Sequence, residues 1–308
     1  MIESHFHFPT NYKSTSIFSI VTFKCNLACS FCLFRFNSVP DIPIRCQADK
    51  LSKMLKWCQE NNRRTRVKIT GGEPLLRDLS SILATIDEYD VEFIGLGSNS
   101  MSKLPEYFNN VRSPTNIYLS LHSLNELLGN TPKLTVSEFR GDITNDRIAF
   151  RVSCNLIKGQ VDSVDDIQEY IHATKETDFI CFRELNSISV DTNSLYDNFV
   201  YEYIDYRKTH LVSVGTILGS LSGDWKHIKT DDFGFILNSY YTYNGKTVLF
   251  RSMNEENLVS IAEDNPHRID EIVIHPDGRI TGCWDRDRKI IEKEVSQMPC
   301  RPFIPKPI

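Results

Sequence analysis

Three cysteines lie within eight residues near the start of the chain, in the stretch CNLACSFC. Cys25, Cys29 and Cys32 follow one another at spacings of four and three residues. Thiolates bind zinc and iron, and a 4Fe–4S cluster usually takes four of them. A loop with three would bind three irons and leave the fourth open to chemistry. The alternatives at this point are three buried structural cysteines, or a zinc site that a remote histidine completes.

A second motif, Gly71-Gly72-Glu73-Pro74, directly follows the apolar run RVKIT. Glycines after a strand let the backbone approach a ligand closely, and proline suits the first turn of a following helix. The carboxylate of Glu73 can accept hydrogen bonds from an ammonium group. Taken alone, a tight strand-to-helix turn would also explain the motif. The motif follows the next predicted strand after the one that precedes the cysteine triplet. Together, the two motifs indicate a binding site shared by neighbouring strand ends.

Both motifs belong to a pattern in which apolar runs alternate with helical segments from about residue 16 to 208. Nearly continuous apolar runs are typical of strands buried on both faces of a parallel sheet. There are six: SIFSIVTF, RVKIT, VEFIGLG, NIYLSLH, IAFRVSCNLI and DFICFREL. Six strand–helix units predict a right-handed α/β fold, and a full barrel needs eight. We therefore expect a partial (β/α)6 TIM-like barrel over residues 1–210.

The last third of the chain has a different pattern. Asn244-Gly245 lies between two β-rich runs, and Pro276-Asp277-Gly278 lies between two others, so each predicts a hairpin. Glycines at 215, 219 and 223 interrupt helical spacing. We expect a small, mostly β C-terminal extension over residues 211–308 that packs on the barrel. The polar loop at about 129–146 is expected to be either mobile or a lid over the strand ends.

Composition restricts the classes of function. The 308 residues carry a formal net charge of −5 without a block of like charge, which argues against a nucleic-acid partner. The N-terminal stretch lacks a basic segment followed by a long apolar run, so we expect no secretory signal, no membrane partner and a cytoplasmic protein. Cysteines there stay mostly reduced, so a cluster of them indicates metal binding or catalysis.

Together the two motifs resemble the radical S-adenosylmethionine (SAM) superfamily. CNLACSFC matches its Cys-x-x-x-Cys-x-x-Cys signature, GGEP matches its SAM-amine motif, and the resemblance covers roughly residues 15–210. It implies an enzyme with one 4Fe–4S cluster whose open iron is chelated by the amino and carboxylate groups of SAM. An electron, implied to come from a donor such as flavodoxin or ferredoxin, cleaves SAM to methionine and a 5′-deoxyadenosyl radical. That radical abstracts hydrogen from a substrate.

The resemblance implies further SAM contacts at strand ends. Phe31 stands where this family commonly has an aromatic residue against adenine, with ordinary packing as the alternative. Ser98 and Asn99 end the third apolar run, at a turn that often contacts SAM. Ser120 is placed to meet the SAM carboxylate or ribose, although a serine in a buried strand can also bond a neighbouring carbonyl. His122 either faces the substrate or is a satisfied core histidine.

Two arginines occur inside predicted buried strands, where an unpaired charge is costly. If Arg151 and Arg183 point into the barrel, they would hold SAM or an anionic substrate, and we assign Arg151 to cofactor binding and Arg183 to catalysis. The alternative is pairing with an internal carboxylate such as Glu184. The cysteines outside the triplet that lie in helical or strand contexts are expected to be buried thiols: Cys46, Cys58, Cys154 and Cys181.

One branch of the superfamily offers a closer comparison. The stretch from NLIKG to FREL is similar to the GTP cyclase of molybdenum-cofactor biosynthesis, and IDEIVIHPDGRITGCW resembles its C-terminal "twitch" hairpin. In that hairpin, Cys283 would be one of three cysteines that bind a second cluster. The positions of the other two hold Pro266 and Ile269, which cannot bind iron, and Cys300 has no neighbouring cysteine in the sequence. The cyclase's terminal Gly-Gly is absent too. We expect a degenerate, cluster-free extension and a different substrate.

The leading expectation is hydrogen abstraction from a small molecule, such as a nucleoside or a sugar, in a biosynthetic pathway. The alternative is modification of a ribosomally made peptide. About 15 residues precede the first apolar run, which leaves no room for a leader-binding domain and favours the small molecule. An acidic chain disfavours RNA as substrate. An iron–sulfur electron carrier would need neither Glu73 nor an open iron.

Overall fold

The protein is described by a computed structural model, which covers residues 14–32, 34, 39–127, 133–174, 176–177, 179–186, 197–232, 236–253, 271–282 and 290–292. The first six strands are β1 (Ser14–Thr22), β2 (Arg64–Gly71), β3 (Val91–Ser98), β4 (Thr115–Ser120), β5 (Ile148–Asn155) and β6 (Phe179–Arg183). Helices between and after them are α1 (Ile44–Glu60), α2 (Ser80–Ile86), α3 (Leu124–Leu127), α4 (Val136–Arg140), α5 (Val164–Ala173), α6 (Asp197–His210) and α7 (Val214–Ser220). The remaining strands are β7 (Lys226–Asp232), β8 (Ile236–Tyr243), β9 (Lys246–Met253), β10 (Glu271–Ile274), β11 (Ile280–Thr281) and β12 (Ile290–Glu292).

The first six strands pair in chain order, each parallel to the next. Helices follow them and cover one face of the sheet, where the apolar strand residues are fully buried: Ile17, Val67, Ile94, Ile117 and Val152. The other face carries half-buried residues at alternate positions, as β4 shows with Asn116, Tyr118 and Ser120. This arrangement confirms the predicted α/β fold with a partial (β/α)6 TIM-like barrel.

The half-buried face is concave. Burial lowers the pKa of Lys68 on β2, Glu271 raises it, and Arg251 on β9 and Arg66 lower it further. Four strands separate β2 from β9 in the sheet. A flat sheet would hold them roughly 24 Å apart, which is too far for such an effect through water. The sheet therefore curls so that β2 and β9 face each other across its interior.

The C-terminal third extends this same sheet at both edges. The strand order is β12-β11-β10-β1-β2-β3-β4-β5-β6-β9-β8-β7. β10 pairs parallel with β1, and β9 pairs parallel with β6. Both predicted hairpins are confirmed: Tyr243 pairs with Lys246 across Asn244-Gly245, and Ile274 pairs with Ile280. The division at residue 210 stays a prediction, since strands on both sides of it share one sheet.

One local expectation differs from the structure, that the glycines after residue 210 interrupt helical spacing. Gly215 and Gly219 lie within the helix α7, whose serine cap Ser213 accepts from the Gly215 amide. The polar loop at 129–146 contains α4, whose Thr135 and Glu138 form a reciprocal capping box. Residues 128–132 of that loop lie outside the described part. None of the helices in the described ranges has the length and hydropathy that a bilayer span requires.

Candidate active site

The thiol loop, residues 23–32, follows β1 at the carboxyl edge of the parallel strands. Cys25 is exposed, and Cys29 and Cys32 are half-buried. The Cys32 amide donates to the Cys29 carbonyl over 3.1 Å, which closes a turn. Burial raises the pKa of Cys29, Lys133 lowers it, and the other two thiols raise it. Each thiol therefore lies within electrostatic reach of Cys29, as a shared site requires.

The two glycines of Gly71-Gly72-Glu73-Pro74 pack directly on the start of the thiol loop. The Gly72 amide donates to the Thr22 carbonyl over 2.8 Å, and the Glu73 amide donates to the Lys24 carbonyl over 2.9 Å. A Cβ atom at Gly71 would lie 2.2 Å from the Thr22 oxygen, and one at Gly72 would lie 2.3 Å from the Lys24 oxygen. Both positions therefore require glycine because the backbone packs against the protein's own thiol loop. From the sequence, the close approach was expected to be to a ligand.

Glu73 is a buried acceptor with only 2% of its surface exposed. Its carboxylate accepts from the Leu75 amide at 3.0 Å, the Ser98 hydroxyl at 3.1 Å and the Asn99 amide at 2.7 Å. Burial raises its pKa, and these hydrogen bonds together with Lys133 oppose the rise. A carboxylate has about four acceptor sites, so about one is left for a ligand donor. Pro74 begins the short 3-10 turn that follows.

Asn99 connects the two motifs. Its backbone amide binds Glu73, while its side-chain Nδ2 lies 3.4 Å from Cys25 Sγ and 2.6 Å from Asn26 Oδ1. Its Oδ1 accepts from the Met101 amide at 3.1 Å, which fixes the amide orientation. The Ser98 hydroxyl, which donates to Glu73, also accepts from the Ser100 amide at 3.2 Å. Ser98 and Asn99 therefore position the site from the end of β3.

Phe31 joins the thiol loop to the ends of β4 and β5. Its ring packs edge-on against His122, with ring centres 4.7 Å apart. His122 is buried, and its Nδ1 accepts from the Asn155 amide at 3.0 Å. Burial lowers the pKa of His122 well below its usual value, and the positive charges of Lys133 and Arg183 lower it further. His122 therefore matches the second of its two sequence-based alternatives, a buried, neutral histidine whose hydrogen bond is made within the protein. Its ring supports Phe31.

Lys133 is a site residue that sequence reasoning missed. Its side chain is 4% exposed, and its Nζ lies 2.9 Å from Glu126 Oε1 and donates to the Ser120 carbonyl at 2.8 Å. Its charge lowers the pKa of both Cys29 and Glu73, so it lies near both motifs. A lysine in a polar loop carries no sequence signal of burial. Ser120 itself is half-buried on the concave face.

Arg151 and Arg183 both lie on the concave face. Arg183 Nη2 donates to Asn155 Oδ1 over 3.1 Å, and Arg151 Cζ lies 4.9 Å from the centre of the Phe179 ring. The suggested alternative of pairing with Glu184 is wrong, because the Glu184 carboxylate instead accepts from the amides of Val214 and Met253, at 2.6 and 3.5 Å. Sequence reasoning missed a third arginine here, Arg251, which β9 brings beside Arg183.

The cysteines outside the triplet fall into three groups. Cys58, Cys154 and Cys181 are buried free thiols, as expected. Cys46 is half-buried and disulfide-bonded, so the expectation of a buried free thiol is wrong there. The predictions on Cys283, Cys300, Pro266 and Ile269 fall outside the described residues.

The donor set fits a 4Fe–4S cluster. In the described part of the chain, no three His, Cys, Asp or Glu side chains converge on a single metal ion. A cluster does not require that convergence, because each cysteine binds a different iron. Cys25 Sγ also receives the Leu27 amide at 3.4 Å beside the Asn99 amide, and such hydrogen bonds to cluster sulfurs tune their potential. Cys25, Cys29 and Cys32 would hold the cluster.

Comparison with protein families agrees with this geometry. Residues 19–149 match the model described as the radical SAM superfamily. The matched span contains the cysteine triplet, Gly-Gly-Glu-Pro, Asn99 and Lys133. Residues 19–149 are a radical SAM domain. Domains of this superfamily use a 4Fe–4S cluster and SAM.

Similarity to individual proteins is low. No curated protein matches the chain. Among solved structures, Streptococcus suis SuiB bound to SAM is 15% identical with a TM-score of 0.47, over 88% of this chain and 60% of SuiB. SuiB bound to its precursor peptide SuiA gives 14% and 0.48, over 88% and 59%. The enzyme anSMEcpe with bound SAM gives 14% and 0.41, over 61% and 58%. The chain thus spans about 60% of the length of SuiB.

Proposed function

We propose that the chain cleaves SAM reductively at a cluster held by Cys25, Cys29 and Cys32 and uses the radical to abstract hydrogen from a small molecule. When bound, the cluster supplies the electron that splits SAM into methionine and a 5′-deoxyadenosyl radical. A low-potential protein such as flavodoxin or ferredoxin would deliver that electron. The observation that carries the proposal is Asn99, whose backbone binds Glu73 while its side chain contacts Cys25.

The protein residues have separate tasks in this proposal. The remaining acceptor site of Glu73 receives an N–H of the SAM ammonium. Lys133, a buried cation near Cys29 and Glu73, attracts the SAM carboxylate. Phe31 offers a ring face for adenine from the thiol loop. Ser120 lies on the concave face at the lysine, where its hydroxyl can reach the ribose or the carboxylate.

A small molecule is the substrate we favour, because the concave face next to the site is charged and polar. This face carries Lys68, Tyr118, Arg151, Arg183 and Arg251. The charge of Arg251 lowers the pKa of Lys68, Tyr118 and Arg183, so these side chains lie within electrostatic reach of it. Fixed cations in a water-poor interior bind polar groups with defined geometry. A nucleoside or a sugar with an anionic substituent meets this description.

Modification of a ribosomally made peptide is the second candidate. The sequence left it open, and a peptide-bound structure of SuiB is among the similar folds. That likeness, with a TM-score of 0.48, is too low to favour a peptide for this chain. The two candidates differ in the size of the molecule that must reach the concave face.

The test measures 5′-deoxyadenosine from the reduced, cluster-loaded protein with SAM. We expect product from the wild type and none from Cys29→Ala, while Cys58→Ala, a buried thiol on α1, serves as the matched control and retains product. A cell extract of the source, separated into small-molecule and peptide fractions, is then added. Stimulation by the small-molecule fraction supports the proposal. Stimulation by the peptide fraction alone reverses the substrate ranking, and equal product from Cys29→Ala refutes the cysteine assignment.

A further inference from the structure

Three arginines from neighbouring strands gather on the concave face of the sheet. Arg183 on β6 and Arg251 on β9 are direct partners in the parallel register. Arg151 on β5 is in register with Phe179, four residues before Arg183. Burial raises the pKa of Cys181, between them on β6, and the charges of Arg251, Arg183 and Arg151 all lower it. All three guanidinium groups therefore lie within electrostatic reach of Cys181.

These arginines have no carboxylate partner within the described ranges. Arg183 donates to the amide oxygen of Asn155, and Arg251 Nε donates to that of Asn238 over 2.9 Å. The Nε atoms of Arg151 and Arg183 are buried and meet no acceptor among the described residues. Glu184, the carboxylate next in sequence, is occupied by backbone amides. Buried guanidinium groups with unused donors are costly unless an anion completes the site.

Aromatic rings and electrostatics both indicate a preformed site. Arg151 Cζ lies over the rings of Phe179 at 4.9 Å and Tyr118 at 5.8 Å, which holds the guanidinium in place. Burial lowers the pKa of Arg183, Cys181 opposes this, and the adjacent Arg251 lowers it further. Like charges held side by side repel, and a bound oxyanion relieves that repulsion. Arginine forks suit phosphate and carboxylate groups, which they bind through two parallel hydrogen bonds.

The arginines are also linked to the cluster loop. Asn155, the acceptor for Arg183, donates its backbone amide to His122, and His122 packs on Phe31 next to Cys32. The concave face has open space at Gly97 on β3, opposite Tyr118, since a Cβ atom built there would meet no described heavy atom within 4 Å. The ring centre of Tyr118, which faces this space, also lies 5.8 Å from Arg151 Cζ, so the space adjoins the Arg151 end of the arginine group.

We infer that Arg183 and Arg251, with Arg151 behind them, form a subsite for an oxyanion group of the substrate, either a phosphate or a carboxylate. The inference rests on the proposed function, because it assigns the anion to the molecule that loses hydrogen. It changes the earlier assignment, which gave Arg151 to cofactor binding and Arg183 to catalysis, in two ways. Arg251 joins the site, and the arginines serve the substrate instead of SAM, whose carboxylate has Lys133.

The test titrates inorganic phosphate and malonate into the full-length, cluster-loaded protein saturated with SAM and follows binding by calorimetry. We expect at least one anion to bind the wild type and Arg251→Gln to weaken that binding about tenfold or more. Arg251→Lys keeps the positive charge but loses the two parallel hydrogen bonds of the guanidinium, so its anion affinity should fall between those of the wild type and Arg251→Gln. If Arg251→Gln loses its iron, Arg251→Lys takes its place in the test. Arg64→Gln is the control, because its side chain is 71% exposed and pairs with Glu92 at the surface. Its anion binding should match the wild type.

The outcomes separate this inference from the proposed function. Stronger binding of phosphate assigns a phosphorylated substrate, and stronger binding of malonate assigns a carboxylate. Binding of neither anion by a wild type that still cleaves SAM overturns the subsite alone. An equal loss of SAM affinity in Arg251→Gln, measured in the same titration series, also overturns it, because the arginines would then hold SAM. Anion binding by a wild type that never cleaves SAM leaves the arginine site standing and refutes the proposed function.

Discussion

The side-chain amide of Asn99 lies 3.4 Å from Cys25 Sγ, although 73 residues lie between them in the chain. The contact joins the end of β3 to the loop after β1. Because the Asn99 backbone also binds Glu73, the loop that carries the thiols and the loop that carries the carboxylate are held in one arrangement. The geometry of the proposed site therefore depends on a residue that is neither a metal ligand nor part of Gly-Gly-Glu-Pro.

Replacing Asn99 by alanine should loosen the thiol loop without removing a ligand. The variant loses the hydrogen bonds to Cys25 and Asn26, each worth about 1 kcal/mol. We expect near-normal iron content, a shifted midpoint potential of the cluster and SAM affinity reduced about tenfold. Potentiometric titration and SAM binding measure this. Asn61→Ala, which removes an exposed amide at the end of α1, is the control and should change neither quantity. An Asn99 variant identical to the wild type in both would contradict the bridging role.

Replacing Glu73 by glutamine places an amide where the carboxylate accepts from Leu75, Ser98 and Asn99. The NH2 group cannot accept, so at least one buried donor loses its partner at a cost of about 1–3 kcal/mol. We expect lower stability in urea and weaker SAM binding, with the cluster intact, and the same direction for Glu73→Ala. Glu88→Gln at an exposed position controls for loss of charge. Unchanged SAM affinity in both Glu73 variants would refute the ammonium role.

Adding a methyl group at Gly72 should displace the thiol loop. The new Cβ atom would lie 2.3 Å from the Lys24 carbonyl oxygen and 2.6 Å from that of Phe23. Overpacking against backbone costs about 1–3 kcal/mol, and we expect Gly72→Ala to lose that stability together with part of its iron. The control is Gly219→Ala on α7, where a Cβ atom meets nothing among the described residues within 4 Å. It should be neutral or slightly stabilising. Equal iron content in the two variants would count against the packing role of Gly72.

His122 makes the stability of the cluster-free protein depend on pH. Its pKa in the fold is lowered by burial, Lys133 and Arg183, so the unfolded chain binds a proton more readily. Its contribution to stability is fully present above the unfolded pKa of about 6.5 and is lost as the pH falls, by at most about 1.4 kcal/mol per unit. Urea unfolding at pH 7.5, 6.5 and 5.5 should show this loss, and His122→Gln should flatten it. His227→Gln, at an exposed position on β7, should keep the wild-type slope. A slope unaltered in His122→Gln would show that the histidine is not buried in the neutral form.

Much of the fold could be predicted because its signals are local. Continuous apolar runs gave the six parallel strands, and Asn244-Gly245 gave the hairpin, since glycine and asparagine adopt the positive φ that its turn needs. The place of that hairpin could not be predicted. Pairing of β9 with β6 depends on contacts far apart in sequence, and it brings Arg251 to Arg183.

The site was predictable to the extent that its chemistry lies in short motifs. Cys25, Cys29, Cys32 and Glu73 stand out by type and spacing alone. Lys133 does not, because its burial follows from Glu126 and the Ser120 carbonyl on other elements. Gly71 and Gly72 stand out in their motif, but their contacts with Thr22 and Lys24, about fifty residues earlier, could not be predicted. Residue type gives the chemistry, while the partner of each residue is set by the tertiary fold.

The central claim is a cluster with three cysteine ligands and one iron open to SAM, and electron paramagnetic resonance of the reduced protein tests it most directly. We expect about four irons per chain, a reduced-cluster signal whose g-values shift when SAM is added, and no such signal in Cys29→Ala. An identical spectrum with and without saturating SAM, in protein that carries the full cluster, would contradict the account.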